Sequence, residues 1–263
     1  MTIAADKNEE SVIREVRWPQ IAIVLSATLA TAVYGFTWNS VSVALPHMQG
    51  AFSATTDQVT WVMISFVIGS AAMTASVGYL SDIFGRKTIF IWCIVGFTVT
   101  LLGCGTATTL EQMVLWRLIQ GACGAGLLPL GQIFAVNAFP PERHGQATSL
   151  WALGFITSNV VSPAIAGVIV DAYSWRFVFY LTIPLALIAF IASWVLLPKV
   201  PKRKRKTDMV GFSALLIGVS VLQLMLARGE RLDWFDSTEI IIETIIATLA
   251  LYWFILNTLT SER

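Results

Sequence analysis

The chain is poor in charge. Asp, Glu, Lys and Arg make up 13% of its 263 residues, against about a quarter in an average soluble domain. That deficit excludes disorder and an ordinary soluble enzyme. Cysteine is scarce too. Cys93, Cys104 and Cys123 lie in apolar runs, odd in number and with no CxxC spacing. This excludes a disulfide scaffold and a thiolate metal site, and each reads as a small buried hydrophobe. The two histidines, His47 and His144, have no ligand-like spacing. Net charge is +1, so nothing global calls for nucleic acid. No nucleotide, haem or catalytic pattern occurs. The expectation is a protein that is not an enzyme and holds no cofactor or metal.

What is present is apolar length. Hydrophobic residues are 56% of the chain, and mean hydropathy is +0.72. Apolar runs lie at about 18–45, 59–80, 88–107, 112–137, 147–170, 177–197, 209–227 and 240–258. Each is long enough to cross a bilayer as a helix, and lipid leaves the backbone no other hydrogen-bond partner. The spacing therefore predicts an all-α membrane protein of about eight spans. Breakers separate the runs, among them Pro46, Gly85, Pro140-Pro141 and the stretch Gly229 to Asp236. The first run is too long for a signal-peptide core and reads as a first span that also directs insertion.

Eight spans put both termini on one side. With the N-terminus cytoplasmic, thirteen Lys and Arg residues fall inside and three outside, namely Arg176, Arg228 and Arg231. That bias predicts a cytoplasmic N-terminus and a cytoplasmic basic linker, Lys202 to Lys206. Arg117 is left over, within the fourth span. A charge at the bilayer centre costs about 2.5–3.5 kcal/mol on insertion scales, so a polar cavity is the expected surrounding, with Gln120 one turn on.

The chain also repeats itself. Gly78, Asp82, Phe84 and Lys87 in the second junction match Gly167, Asp171, Tyr173 and Arg176 in the fifth, at an offset of about 89 residues. Three spans separate the copies, so they lie on opposite faces, as an inverted repeat of three plus three helices requires. The domains expected are 1–17, a cytoplasmic segment; 18–197, a six-helix bundle; 198–207, the basic linker; and 208–263, a two-helix hairpin.

Several motifs then point to one family. The segment Gly78-Tyr-Leu-Ser-Asp82-Ile-Phe-Gly85-Arg86-Lys87 resembles the signature loop of the major facilitator superfamily. The segment Leu115-Trp-Arg117-Leu-Ile-Gln120-Gly121-Ala-Cys-Gly124 resembles its fourth-helix motif. Ser162-Pro163-Ala-Ile-Ala166-Gly167 is similar to the fifth-helix motif of its exporters, with Ser and Ala where glycine is usual. Asp208-Met-Val-Gly211-Phe212 and the stretch Arg228 to Ser237 resemble the connecting hairpin of the fourteen-helix drug:proton antiporters of the EmrB/QacA type.

The resemblance implies an N-terminal six-helix half plus hairpin of a proton-driven multidrug exporter in the inner (cytoplasmic) membrane. Its substrate would be small and hydrophobic or cationic, bound near the midplane. The cavity candidates are Thr37, Trp38, Asn39, Trp61, Arg117, Gln120 and Gln132. A conformational latch is expected at Gly78, Asp82, Gly85, Arg86 and Lys87. A packing or hinge stripe is expected at Gly154, Ser158, Ser162, Pro163 and Gly167. Implied partners are the bilayer, a second six-helix half or a second copy, and a periplasmic adaptor at the 228–236 loop. A half-size protein that binds ligand or lipid, or regulates a full-length relative, is the other reading. Two departures stand out. The family often has an acid in the first span, and Thr37 occupies that position here, so the span has no carboxylate. The closing six helices of the family are absent from the sequence.

Overall fold

The computed structural model describes residues 18–198 and 209–260. The 1–17 segment and residues 199–207 of the basic linker lie outside the described residues. Within them there are helices and turns and no strand. We number the α-helices α1 (Trp18–Ala51), α2 (Thr56–Phe84), α3 (Arg86–Thr106), α4 (Leu110–Gly124), α5 (Leu127–Asn137), α6 (His144–Ala172), α7 (Arg176–Leu196), α8 (Met209–Arg228) and α9 (Thr238–Thr260). Seven spans are long and apolar enough to cross a membrane, α4 and α5 together counting as one. The bent α2 makes an eighth when its two arms, inclined at 50°, are taken together.

Local chemistry sets the boundaries. Thr55 caps α2 through a reciprocal box, its hydroxyl accepting from Gln58 N and its own N–H donating to Gln58 Oε1. Thr109 caps α4 by accepting from Gln112 N. Between α2 and α3 there is no loop beyond Gly85, whose φ of 94° is open to glycine and strained for other residues. Two expected boundaries differ. The first span does not stop at Pro46; α1 continues to Ala51 with that proline inside it. Proline removes one backbone donor and tolerates helix on either side when the freed carbonyl is satisfied elsewhere. The fourth run, in turn, is interrupted at Ala125-Gly126, where α4 gives way to α5.

The packing has internal symmetry. The most extensive seams join α1 to α6 and α2 to α4. Exchanging spans 1, 2 and 3 with spans 4, 5 and 6 turns one of these seams into the other, and α3–α7 maps onto itself. A three-plus-three inverted repeat has this pattern. Small residues make both large seams close. A Cβ on Gly69 would strike the Leu118 carbonyl oxygen, and one on Gly121 would strike that of Phe66. Across α1–α6, a Cβ on Gly154 would strike Thr28, and Ser158 Oγ donates to Ala32 O at 3.0 Å. Phe66, Phe90, Phe97, Leu101 and Phe179 fill the core.

The hairpin stands beside this bundle. Helices α8 and α9 pack on each other, and α8 lies along α2. Tyr79 meets Phe212 with ring centroids 5.3 Å apart. At the other end Arg231 Nη2 pairs with Asp57 Oδ1 at 3.0 Å. Large apolar side chains such as Val160, Val168, Leu249 and Trp253 point outward. A soluble monomer rarely exposes so continuous an apolar surface, whereas a bilayer requires it.

Candidate functional site

Arg117 is wholly buried between α2 and α4. Its Nε donates to Val62 O at 3.1 Å and its Nη1 to Gln120 Oε1 at 2.6 Å. The guanidinium carbon stands 4.1 Å from the centre of the Phe66 ring, a cation–π contact. Met63 Sδ lies 4.0 Å from Nη2. All of these partners are neutral. The side chain does not reach outward to the water, as its depth alone would have allowed. Gln120 Nε2 is buried with no partner among the described residues, so the polar layer around Arg117 has a spare donor and no spare anion.

Nearby, between α1 and α2, lies a cavity of about 250 Å³, lined by Tyr34, Trp38, Phe66, Val67, Ser70 and Ala71. Trp38 leans on Phe66 with centroids 5.3 Å apart, and Tyr34 does so at 5.4 Å. Tyr34 Oη and Ser70 Oγ share a hydrogen bond of 3.2 Å. The walls are therefore aromatic, with two hydroxyls as the polar groups. Such a surface suits a planar apolar ligand carrying one hydrogen-bonding group.

The sequence candidates separate into groups. Trp38 lines this cavity, and Arg117 and Gln120 form the buried layer behind Phe66. Thr37 is buried, and its hydroxyl donates back to Val33 O at 2.8 Å rather than to that layer. Asn39 turns to α6, its Nδ2 donating to Asn159 Oδ1 at 2.5 Å. Trp61 lies elsewhere, in a second cavity of about 400 Å³ with Asp57, Arg228, Arg231 and Leu232; the Arg228 guanidinium stands 5.8 Å from its ring centre. Gln132 is exposed on α5. Tyr34, Phe66, Ser70 and Asn159 were not singled out from the sequence. The four-residue spacing of Tyr34 with Trp38 and of Phe66 with Ser70 puts each pair on one helix face, and that was the signal available.

The latch candidates cluster at the other face, where α2 meets α3. No ion pair joins Asp82 to Arg86 among the described residues. Lys87 does the visible holding: its Nζ donates to Trp194 O at 2.7 Å and to Leu197 O at 2.6 Å. These are carbonyls at the C-terminal end of α7, where a cation also meets the negative end of the helix dipole. Gly78 is exposed with open space at its Cβ. Of the α6 stripe, Gly154 and Ser158 touch α1, and Ser162 is buried, its hydroxyl donating to Asn159 O. Pro163 lies within the helix, and Gly167 faces open space.

The site thus sits in a helical membrane bundle with internal symmetry, an aromatic-walled cavity and a buried guanidinium. The chain belongs to the Major Facilitator Superfamily, which it matches over residues 27–261. It is a multi-pass membrane protein. Among curated relatives it is 31% identical to the "Multidrug export protein EmrB" of Escherichia coli (strain K12), over 92% of this chain and 48% of that protein. It is 32% identical to the "Fatty acid resistance protein FarB" of Neisseria gonorrhoeae, over 89% and 46%. The chain thus spans about half the length of the curated relatives it matches. Solved structures agree on the fold. The POT family transporter PepTSo superposes with a TM-score of 0.67 at 14% identity, over 91% of this chain and 54% of that one. A D-xylose-proton symporter does so with 0.60 at 17%, over 91% and 67%.

Proposed function

We propose that this chain is the six-helix half, with its connecting hairpin, of a secondary active transporter that exports small hydrophobic compounds. The observation that carries the reading is the aromatic cavity between α1 and α2, backed by the buried Arg117. Transport proceeds by alternating access against a complementary six-helix unit, and the proton gradient drives it. The N-terminus is cytoplasmic, as the Lys and Arg bias favours, so the Asp57 end of α2 is external. The Gly78 to Lys87 segment acts as the latch of one transport state, and Pro163 as the hinge in α6. In the external loop, Trp234 and Phe235 are exposed and offer an anchor for a periplasmic adaptor.

The test is substrate-dependent proton movement in inverted membrane vesicles that contain the protein as its host makes it. Proton efflux on addition of a hydrophobic substrate, lost in Arg117→Ala while the variant still inserts, is the expected result. Substrate movement with no proton signal would remove the coupling. Unchanged transport in Arg117→Ala would remove the cavity assignment.

A further inference from the structure

An amide inside a membrane span must find its own partners, because hydrocarbon offers none. Asn39 is the twenty-second of the 34 residues of α1, and Asn159 the sixteenth of the 29 of α6. Both stand well inside their spans and are half-buried. They meet across the α1–α6 seam.

Main-chain carbonyls fix which way each amide points. Asn39 Nδ2 spends one proton on Gly35 O at 3.1 Å and the other on Asn159 Oδ1 at 2.5 Å. Asn159 Nδ2 donates to Phe155 O at 2.7 Å. A carbonyl only accepts, so turning either amide over would set oxygen against oxygen. The seam is close as well, since a Cβ on Gly35 would strike the Asn159 amide. With the orientation fixed, the remainder is fixed too. Asn39 Oδ1 has no partner among the described residues, and it is open rather than enclosed. Asn159 Nδ2 keeps one unspent proton. Pairing between the helices explains the groups that are spent and not the oxygen left open. A polar group held unspent at this depth faces a watered cavity rather than lipid. Ser42, one turn on from Asn39, is exposed too, so polar groups continue along this side of α1.

We propose that the Asn39–Asn159 pair is a substrate-recognition site for uncharged N–H donors, lipophilic carboxamides above all. The inference rests on the export reading above and adds a polar recognition point beside the aromatic cavity, whose Trp38 immediately precedes Asn39. Asn39 Oδ1 accepts the ligand N–H, and the unspent proton of Asn159 serves the ligand carbonyl. Neither α1 nor the interior of α6 carries a carboxylate that would compensate a cation.

The probes are naphthalene-2-carboxamide, its N-methyl and N,N-dimethyl derivatives, and the methyl ester of the same acid. Binding to the purified protein in nanodiscs is measured by equilibrium dialysis, with uptake by empty nanodiscs subtracted. The two amides that keep an N–H should bind about fivefold more tightly than the dimethyl amide and the ester, which have none. Asn39→Leu levels the four probes, and Asn159→Leu lowers the preference. A packing role alone would weaken all four together and leave their ratios unchanged. If Asn39→Leu fails to fold, Asn39→Ala takes its place with the same expected result. Equal affinities of all four for the unsubstituted protein would overturn the inference and leave the export reading intact. A preference retained without the Asn39 side chain would equally overturn it. Binding of none of the four would overturn both the inference and the assignment of the neighbouring cavity to export.

Discussion

The bundle and the hairpin each hold an arginine at a helix–helix seam, and the two are satisfied in opposite ways. Arg117 lies between α2 and α4 with carbonyl, amide, thioether and ring as its neighbours. Arg228, at the end of α8, pairs with Glu239 and with Glu243 on α9. Backbone contact follows the same division. Where α2 crosses α4, glycines bring main chain directly against main chain; where α8 crosses α9, a Cβ on Gly218 would meet the Leu251 side chain first and its backbone N at 3.2 Å. The bundle is therefore fixed by shape around an uncompensated charge, and the hairpin by charge pairing around a looser fit. A buried charge with neutral partners costs stability, so its retention points to use rather than to structure.

The largest effect should come from filling the tightest crossing. Gly121→Ala drives a methyl into the Phe66 carbonyl and should cost about 3 kcal/mol or more, read as loss of monodisperse protein after extraction. Second is Arg228→Met. It strands Glu243, whose Oε2 is already buried without a partner, and should cost about 2 kcal/mol. A drop in thermal midpoint in nanodiscs measures it. Arg117→Met has the opposite sign. Replacing an unpaired buried charge by an apolar side chain of similar length should raise the midpoint, by about 1 kcal/mol, while transport is lost. If both arginine variants shift the midpoint in the same direction, the contrast drawn here is wrong. Last comes Gly218→Ala. Its Cβ would meet Leu251 side-chain atoms at 2.8 Å and the Leu251 backbone N at 3.2 Å, a milder clash than the carbonyl contacts at Gly121, for about 1–2 kcal/mol.

Much of this was legible in the one-dimensional pattern. Apolar length found each span, because a membrane helix satisfies its own backbone and declares itself locally. The offset between Gly78 and Gly167 announced the symmetry that the α1–α6 and α2–α4 seams display. Arg117 and Gln120 were found because a charge in an apolar run is expensive wherever it points. What escaped was pairing over long separations. Asn39 meets Asn159, 120 residues on, and Lys87 meets Leu197, 110 residues on; periodicity reports a residue's face and not what the face meets. Trp61 was assigned to the central cavity for the same reason, since the hairpin arginine beside it comes from the far end of the chain. Pro46 misled for a different reason: proline weakens a helix by one hydrogen bond, and flanking turns can carry it.

The bend in α2 has a mechanical meaning. Thr74 Oγ1 donates to Ser70 O at 2.7 Å next to the bend, a bonding pattern that softens a helix. The continuous helix α8 spans that weak point. It meets one arm of α2 where Tyr79 faces Phe212, and the loop that follows it meets the other arm through Arg231 and Asp57. A rod fastened to both arms of a jointed beam acts as a splint. Any change in the angle of α2 must then detach one fastening or drag the hairpin with it. Spin labels on the two arms would record a single narrow distance while both hold, and a broad one once either is cut.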